Sequence, residues 1–163
     1  MSLWASVDPG LKTGLAVWDD KARSPKFLKS ISLPGYEKNW YCHARDTAEE
    51  VRYWLCAEAV YEGDCPDRVF IEAPAYHPSL AGQAVAAGSL VKLSIYVGML
   101  AGVCEESDIS VTLVPIRQWK GNAPKSVTNK RTMAELGSRY LARESQDVLD
   151  AVGLGLWVKR NLR

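Results

Sequence analysis

Four carboxylates stand at places where the chain should change direction. Asp8 ends the apolar run Leu3-Trp4-Ala5-Ser6-Val7, and Glu72 ends Asp67-Arg68-Val69-Phe70-Ile71. Asp147 and Asp150 lie three residues apart in a stretch with helical character. A spacing of i, i+3 puts two side chains on one helical face, with ~5–6 Å between Cβ atoms. If that face packs over the two strand ends, four oxygen-donor side chains converge. Converging carboxylates repel one another unless hard cations neutralise them, and Mg²⁺ and Mn²⁺ take such ligands while keeping positions for water and phosphate. Two such ions ~3.5–4 Å apart are suited to phosphodiester hydrolysis, one serving the attacking water and the other the leaving oxygen.

Each acid also has a plainer explanation. Asp8 opens Asp8-Pro9-Gly10, a turn signature in its own right. Asp147 and Asp150 fit the first turns of a helix, where the dipole favours negative charge. Glu72 resists this treatment, because a charge placed directly after Val69-Phe70-Ile71 needs either solvent or a cation. Asp150 is set in the core-like run Val148-Leu149-Asp150-Ala151-Val152. Taken together, the four acids in this order favour a metal site over four separate accidents.

The elements that would position them follow from the hydrophobic pattern. Strands are expected over 3–7, 13–18 and 26–33, forming a meander, with a fourth over 67–72 and a fifth over 110–114. Ala44, Ala48, Val51, Trp54, Leu55 and Ala59 recur at helical spacing, which predicts a helix from Trp40 to Tyr61. The segment from Gly82 to Glu105 is small or apolar nearly throughout, so it must be covered on several sides, and part of it is expected to form a two-fold contact with a second copy. After Pro115 an irregular basic stretch precedes helices over about 129–142 and 145–159. The order βββ-α-β-α-β-α-α describes an α/β fold: a five-stranded mixed sheet flanked by helices, expected as one domain over 1–163.

Composition bounds the partners. The 163 residues carry 20 basic and 19 acidic side chains, a net charge of +1 that gives no overall field for a polyanion. The charge is segregated, however. Between Pro115 and Arg143, Arg117, Lys120, Lys125, Lys130, Arg131, Arg139 and Arg143 face Glu135 alone, for +6, whereas Trp40 to Cys65 totals −4. A basic stretch directly before the acidic helix would hold phosphates beside metals. Lys120, Lys125 and Lys130 lie in or beside a Gly/Asn/Pro loop, the better setting for phosphate contact, while Arg139 and Arg143 fit a solvated helix face equally well. Gly121-Asn122-Ala123-Pro124-Lys125-Ser126 is not a nucleotide-binding loop, because proline before the lysine removes a backbone donor. Cys42, Cys56, Cys65 and Cys104 contain no Cys-x-x-Cys pair and read as reduced thiols. With no basic-then-apolar leader and no sufficiently long apolar run recognised, a cytoplasmic protein without membrane contact is expected.

Ser6-Val7-Asp8-Pro9-Gly10 with Thr13-Gly14-Leu15-Ala16-Val17, then Val69-Phe70-Ile71-Glu72, then Gln146-Asp147-Val148-Leu149-Asp150-Ala151, resemble the RuvC Holliday-junction resolvases of the ribonuclease H-like superfamily. The resemblance spans nearly the whole chain in element order, with the Trp119-Lys120-Gly121 segment closer to phage-type members. It implies a homodimeric, Mg²⁺-dependent endonuclease, with Mn²⁺ able to substitute, that cuts opposed strands of a four-way DNA junction and leaves 5′-phosphates. Asp8, Glu72, Asp147 and Asp150 then match the metal-binding acids, holding two ions per site. Arg117, Lys120, Lys125, Lys130 and Arg131 become the DNA contacts, and Tyr76, beside His77, falls in the loop where the family carries a junction-wedging aromatic. The same fold also serves RNA and flap nucleases, including YqgF-type proteins. A single phosphate hairpin of an actin-like or sugar-kinase fold, or a catalytically silent DNA-binding module, are readings of another class.

Overall fold

The computed structural model describes residues 2–34, 39–58, 65–74 and 84–162. The sheet has five strands in the order β3-β2-β1-β4-β5: β1 (Leu3–Asp8), β2 (Thr13–Asp19), β3 (Phe27–Ile31), β4 (Arg68–Ala73) and β5 (Ser110–Pro115). β1, β2 and β3 form the expected antiparallel meander, while β4 and β5 run parallel to β1. The parallel pairings bring the ends of β1 and β4, and with them Asp8 and Glu72, to the same edge of the sheet.

Alternation along the strands divides the core into two layers. Leu3, Ala5, Val7, Leu15, Val17, Val69 and Ile71 face helices α1 (Trp40–Tyr53) and α2 (Ala84–Glu105). Trp4, Ala16, Trp18 and Phe70 face the last helix, α6 (Gln146–Asn161). Trp4 and Trp18 stack at 5.2 Å, with Phe70 edge-on to Trp4 at 5.7 Å, so two of the six tryptophans fill the sheet's α6 side. Ser6 is the polar residue in this layer. Its Oγ accepts the Trp18 Nε1–H at 2.9 Å and donates to the Ala151 carbonyl at 2.8 Å, tying α6 to β1.

α1 begins where Asn39 accepts the Cys42 N–H at 3.2 Å, a side-chain N-cap. It buries His43, Ala44, Thr47, Ala48 and Val51, but it does not continue unbroken to Tyr61. After Tyr53 the backbone widens into a π-helical turn over Trp54–Glu58, where Trp54 Nε1–H bonds Glu50 and the indole stacks on Phe27. α2 buries Tyr96, Val97, Leu100 and Cys104 in the sheet core. By length and composition alone its Gly88–Glu105 stretch is sufficient to cross a bilayer, so a run of that length is present where none is expected from the sequence. Among the described residues nothing covers its opposite side: Val91 is 58% exposed and Ile95 39%, and a Cβ added at Gly88, Gly98 or Gly102 would meet none of them within 4 Å.

The basic stretch after β5 is not irregular. It forms α3 (Ile116–Lys120), directly after Pro115, and α4 (Lys125–Leu136), directly after Pro124. Each proline stands at the N-cap, where its missing N–H costs the helix no hydrogen bond, and α4 begins earlier than the expected position 129. Gly137, with φ of +90°, separates α4 from the short α5 (Ser138–Leu141), so the expected single helix over 129–142 is two. Asn129 and Gln146 exchange two amide hydrogen bonds, at 2.6 and 2.9 Å, and lock α4 onto the start of α6.

Candidate active site

Two features of the sequence deliver the acids of α6 to the end of β1. Ser145 caps the helix by accepting the Val148 N–H at 3.4 Å, which fixes where its first turn begins. Gly14, paired with Asp8 across β1 and β2, lies directly beneath that turn. A Cβ at Gly14 would stand 1.9 Å from the Asp147 carbonyl oxygen and 2.8 Å from the Val148 nitrogen. The missing side chain is therefore what lets α6 descend onto the sheet beside Asp8. Further along α6, Gly155 does the same for Trp18, whose ring atoms lie 2.4 Å from where a Cβ would be.

Asp8, Glu72 and Asp150 act on one another electrostatically. Burial pushes the Asp8 carboxyl up to about 8; the charges of Glu72 and Asp150 add to the rise, and Lys120 and Lys125 moderate it. Glu72 is also raised, first by burial and then by Asp150, against the opposing pull of Lys120 and the Trp119 hydrogen bond. Asp150, 2% exposed, carries two ammonium partners: Lys120 Nζ at 3.1 Å and Lys125 Nζ at 2.8 Å. The Lys125 amine is held above its ordinary value, because Asp150, with help from Asp8 and Asp147, outweighs the cost of its burial.

Of the four expected acids, three thus share one field, and Asp147 joins through its effect on Lys125. Among the described residues, no three His, Cys, Asp or Glu side chains stand close enough to chelate an ion as they are. Two lysines pair Asp150 in this arrangement. The donor set nonetheless fits a hard divalent cation. Three carboxylates from three elements share one field, burial and the two neighbouring acids both disfavour a bare charge on Asp8, and every donor is an oxygen. Lys125 is half exposed and flexible, so its ammonium can move off Asp150.

The expected DNA contacts fall into two groups. Lys120 and Lys125 belong to the carboxylate cluster itself, whereas Arg117 on α3 and Lys130 and Arg131 on α4 extend exposed side chains. Tyr76 and His77 lie outside the described residues. Trp119 is a residue at the carboxylate cluster that the sequence pattern did not identify. Its Nε1–H donates to Glu72 Oε2 at 3.0 Å, and its ring lies 3.0 Å from where a Cβ at Gly153 would be. Consecutive residues of α3 therefore hold two of the acids, Trp119 gripping Glu72 and Lys120 gripping Asp150. The only sequence signal for α3 is Pro115, since five residues are too few to show a helical period.

The same architecture occurs in solved structures. Thermus thermophilus RuvC in complex with Holliday junction substrate superposes with a TM-score of 0.68 at 19% identity, covering 96% of this chain and 92% of that one. A second Thermus thermophilus RuvC structure gives 0.67 at 16% identity, over 97% and 95%. The chain has a RuvC-like fold. The Fowlpox virus resolvase in its complex with substrate Holliday junction DNA also matches, with a TM-score of 0.54 at 16% identity, over 94% of this chain and 97% of that one. No family model matches the sequence, and no curated protein matches it. The mixed five-stranded sheet expected from the pattern is the one observed, and it is shared with these structures at 16–19% identity.

Proposed function

We propose that the protein is a metal-dependent endonuclease that resolves four-way DNA junctions as a homodimer. The observation that carries this reading is the convergence of Asp8, Glu72 and Asp150 from β1, β4 and α6 at one edge of a RuvC-like sheet, with Lys120 and Lys125 among them. Asp8, Glu72, Asp147 and Asp150 would hold Mg²⁺, with Mn²⁺ as a substitute and two ions per site. When bound, the ions supply Lewis-acid stabilisation of the phosphodiester and a nucleophilic water at neutral pH.

The chain's own contribution is positional. Gly14 and Ser145 fix α6 so that Asp150 meets Asp8, and Trp119 fixes one oxygen of Glu72. Lys120 and Lys125 balance the carboxylates before DNA arrives. Once Asp150 is neutralised otherwise, they are placed to take the oxygens of a scissile phosphate. Arg117, Lys130 and Arg131 extend the cationic surface along α3 and α4. The open side of α2, with Val91 and Ile95 among small residues, supplies the surface for a second copy.

The test is cleavage of a synthetic four-way junction with and without Mg²⁺, mapping both strands. Paired symmetric nicks ending in 5′-phosphates are expected. Asp8→Asn and Asp150→Asn should abolish cleavage and leave junction binding intact. Wild-type rates in either variant would remove the carboxylates from the chemistry. Cleavage of an RNA duplex or a flap in preference to the junction would keep the fold and replace the substrate.

A further inference from the structure

A second site adjoins the carboxylates on the other side of the β1–β2 turn. A cavity of about 250 Å³ is lined by residues of α1 and α2 and by Pro9, Gly10 and Leu11, one to three residues beyond Asp8. Trp40 and Tyr96 supply aromatic walls, and Ala44 and Leu93 are apolar lining. Tyr96 is buried, and its hydroxyl is already engaged with Thr13 Oγ1 at 2.7 Å. The Thr47 hydroxyl donates to the His43 carbonyl at 2.7 Å. Lys92 carries an exposed side chain, with Nζ 5.6 Å from the Trp40 ring centroid.

We propose that this cavity receives one unstacked nucleobase of the DNA strand cut at Asp8, and that Lys92 pairs with the phosphate of that nucleotide. The inference rests on the nuclease reading above and adds to it how the strand is gripped. Drug-sized ligands occupy about 300–1,000 Å³, so 250 Å³ suits a single heterocycle better than a whole nucleotide. Flat aromatic walls with a cation at the mouth match a base joined to a phosphate. Cavity and carboxylates share one turn, so a strand whose phosphate lies at Asp8 brings its neighbouring base to Pro9 and Gly10. The nucleotides at the centre of a branched DNA are the ones that unstack most cheaply. The Tyr96 and Thr47 hydroxyls are engaged within the protein, so stacking between the aromatic walls, and not those two hydroxyls, holds the base.

The experiment uses a four-way junction carrying 2-aminopurine next to the cleaved phosphate, bound to the full chain in Ca²⁺ so that no cutting is needed. With the wild-type protein the 2-aminopurine emission should depart from that of the free junction. Trp40→Leu and the cavity-filling Ser89→Trp should each return it towards the free value and weaken binding about 5-fold or more, from the loss of ~1 kcal/mol or more of stacking, and Lys92→Glu should do the same by replacing the phosphate's cation with a like charge. Thermal melts establish that each variant is folded, and three separate sites keep the result from depending on one. Weaker binding with unchanged emission would make this face a phosphate surface only and overturn the base pocket. Unchanged emission and affinity in a wild-type protein that still cleaves junctions overturns the pocket and spares the nuclease. A wild-type protein that does not bind branched DNA overturns both.

Discussion

Trp119 shows how a single neutral donor can govern a charged site. Its hydrogen bond takes one oxygen of Glu72, so only the remaining lone pairs of that carboxylate can turn towards a cation. Trp119→Phe keeps a ring to pack against Gly153 and removes the donor. Partners of this kind typically change metal affinity by about 10- to 100-fold. Mn²⁺ affinity, followed by electron paramagnetic resonance, should fall by about that much while the thermal midpoint stays close to that of the wild type; unchanged affinity would reduce Trp119 to packing. Asp19 gives a pH-dependent contrast far from the site. Its carboxylate accepts the Lys21 N–H at 2.9 Å and faces Lys26 Nζ at 3.2 Å, and that backbone hydrogen bond, followed by the Lys26 interaction, holds it below the usual carboxylate range. A group whose folded pKa is depressed contributes stability above its unfolded value, near 3.8, and loses it as pH falls through the folded one. Urea melts should therefore show that Asp19→Asn costs stability at pH 7 and that the variant loses less than the wild type on acidification to about pH 3. Equal acid sensitivity in both proteins would show that Asp19 carries none of the linkage.

Between elements, the decisive contacts are those of α6 with β1 and β2. Ser6 both receives the Trp18 indole proton and reaches the Ala151 carbonyl within a fully buried layer. Ser6→Ala leaves the Trp18 donor without its partner, and a buried unsatisfied group costs about 1–3 kcal/mol. Chemical denaturation should show a loss of that size; a loss below about 0.5 kcal/mol would mean the layer repacks around the indole. Gly14→Val acts differently, by forcing a side chain into the space of the Asp147 backbone. Overpacking of this kind costs about 1–3 kcal/mol or more, and because it lifts α6 it should also remove cleavage at temperatures where the protein remains folded. These same contacts mark where the sequence could and could not be read. The strands, the Asp8-Pro9-Gly10 turn and the carboxylates at strand ends were legible because alternation and turn chemistry are local signals. The roles of Gly14 and Trp119 depend on residues more than 40 positions away, to which spacing along the chain gives no distance. The pairing of Lys120 and Lys125 with Asp150 is hidden for the same reason: nothing in the local pattern places them against a carboxylate 30 and 25 residues further on. The end of α1 was overrun because Trp54 and Leu55 keep a helical period while the backbone has already widened into a π turn.

At the scale of the whole molecule, the side of α2 that no described residue covers is the feature that a single copy leaves unexplained. One face of the helix is committed to the sheet through Tyr96, Val97, Leu100 and Cys104, and the other carries Val91 and Ile95 exposed among glycines that leave room for a close neighbour. Twenty-two residues at ~1.5 Å per residue give a ridge about 33 Å long, enough to anchor an interface of the usual ~800 Å² per partner. A second copy docked there through a two-fold axis would repeat the same contacts on both sides and place two carboxylate sites on one particle, as paired cuts in a junction require. Ile95→Asp puts a charge in the middle of that ridge without touching the sheet face. Analytical ultracentrifugation should find the wild type as a dimer and the variant as a monomer at the same concentration. The variant should still bind divalent cations, because no residue of the carboxylate cluster lies on α2, but its junction cleavage should change from paired to single nicks. A variant that remains dimeric would move the interface elsewhere, and a monomeric variant that still makes paired nicks would detach symmetric cutting from dimerisation.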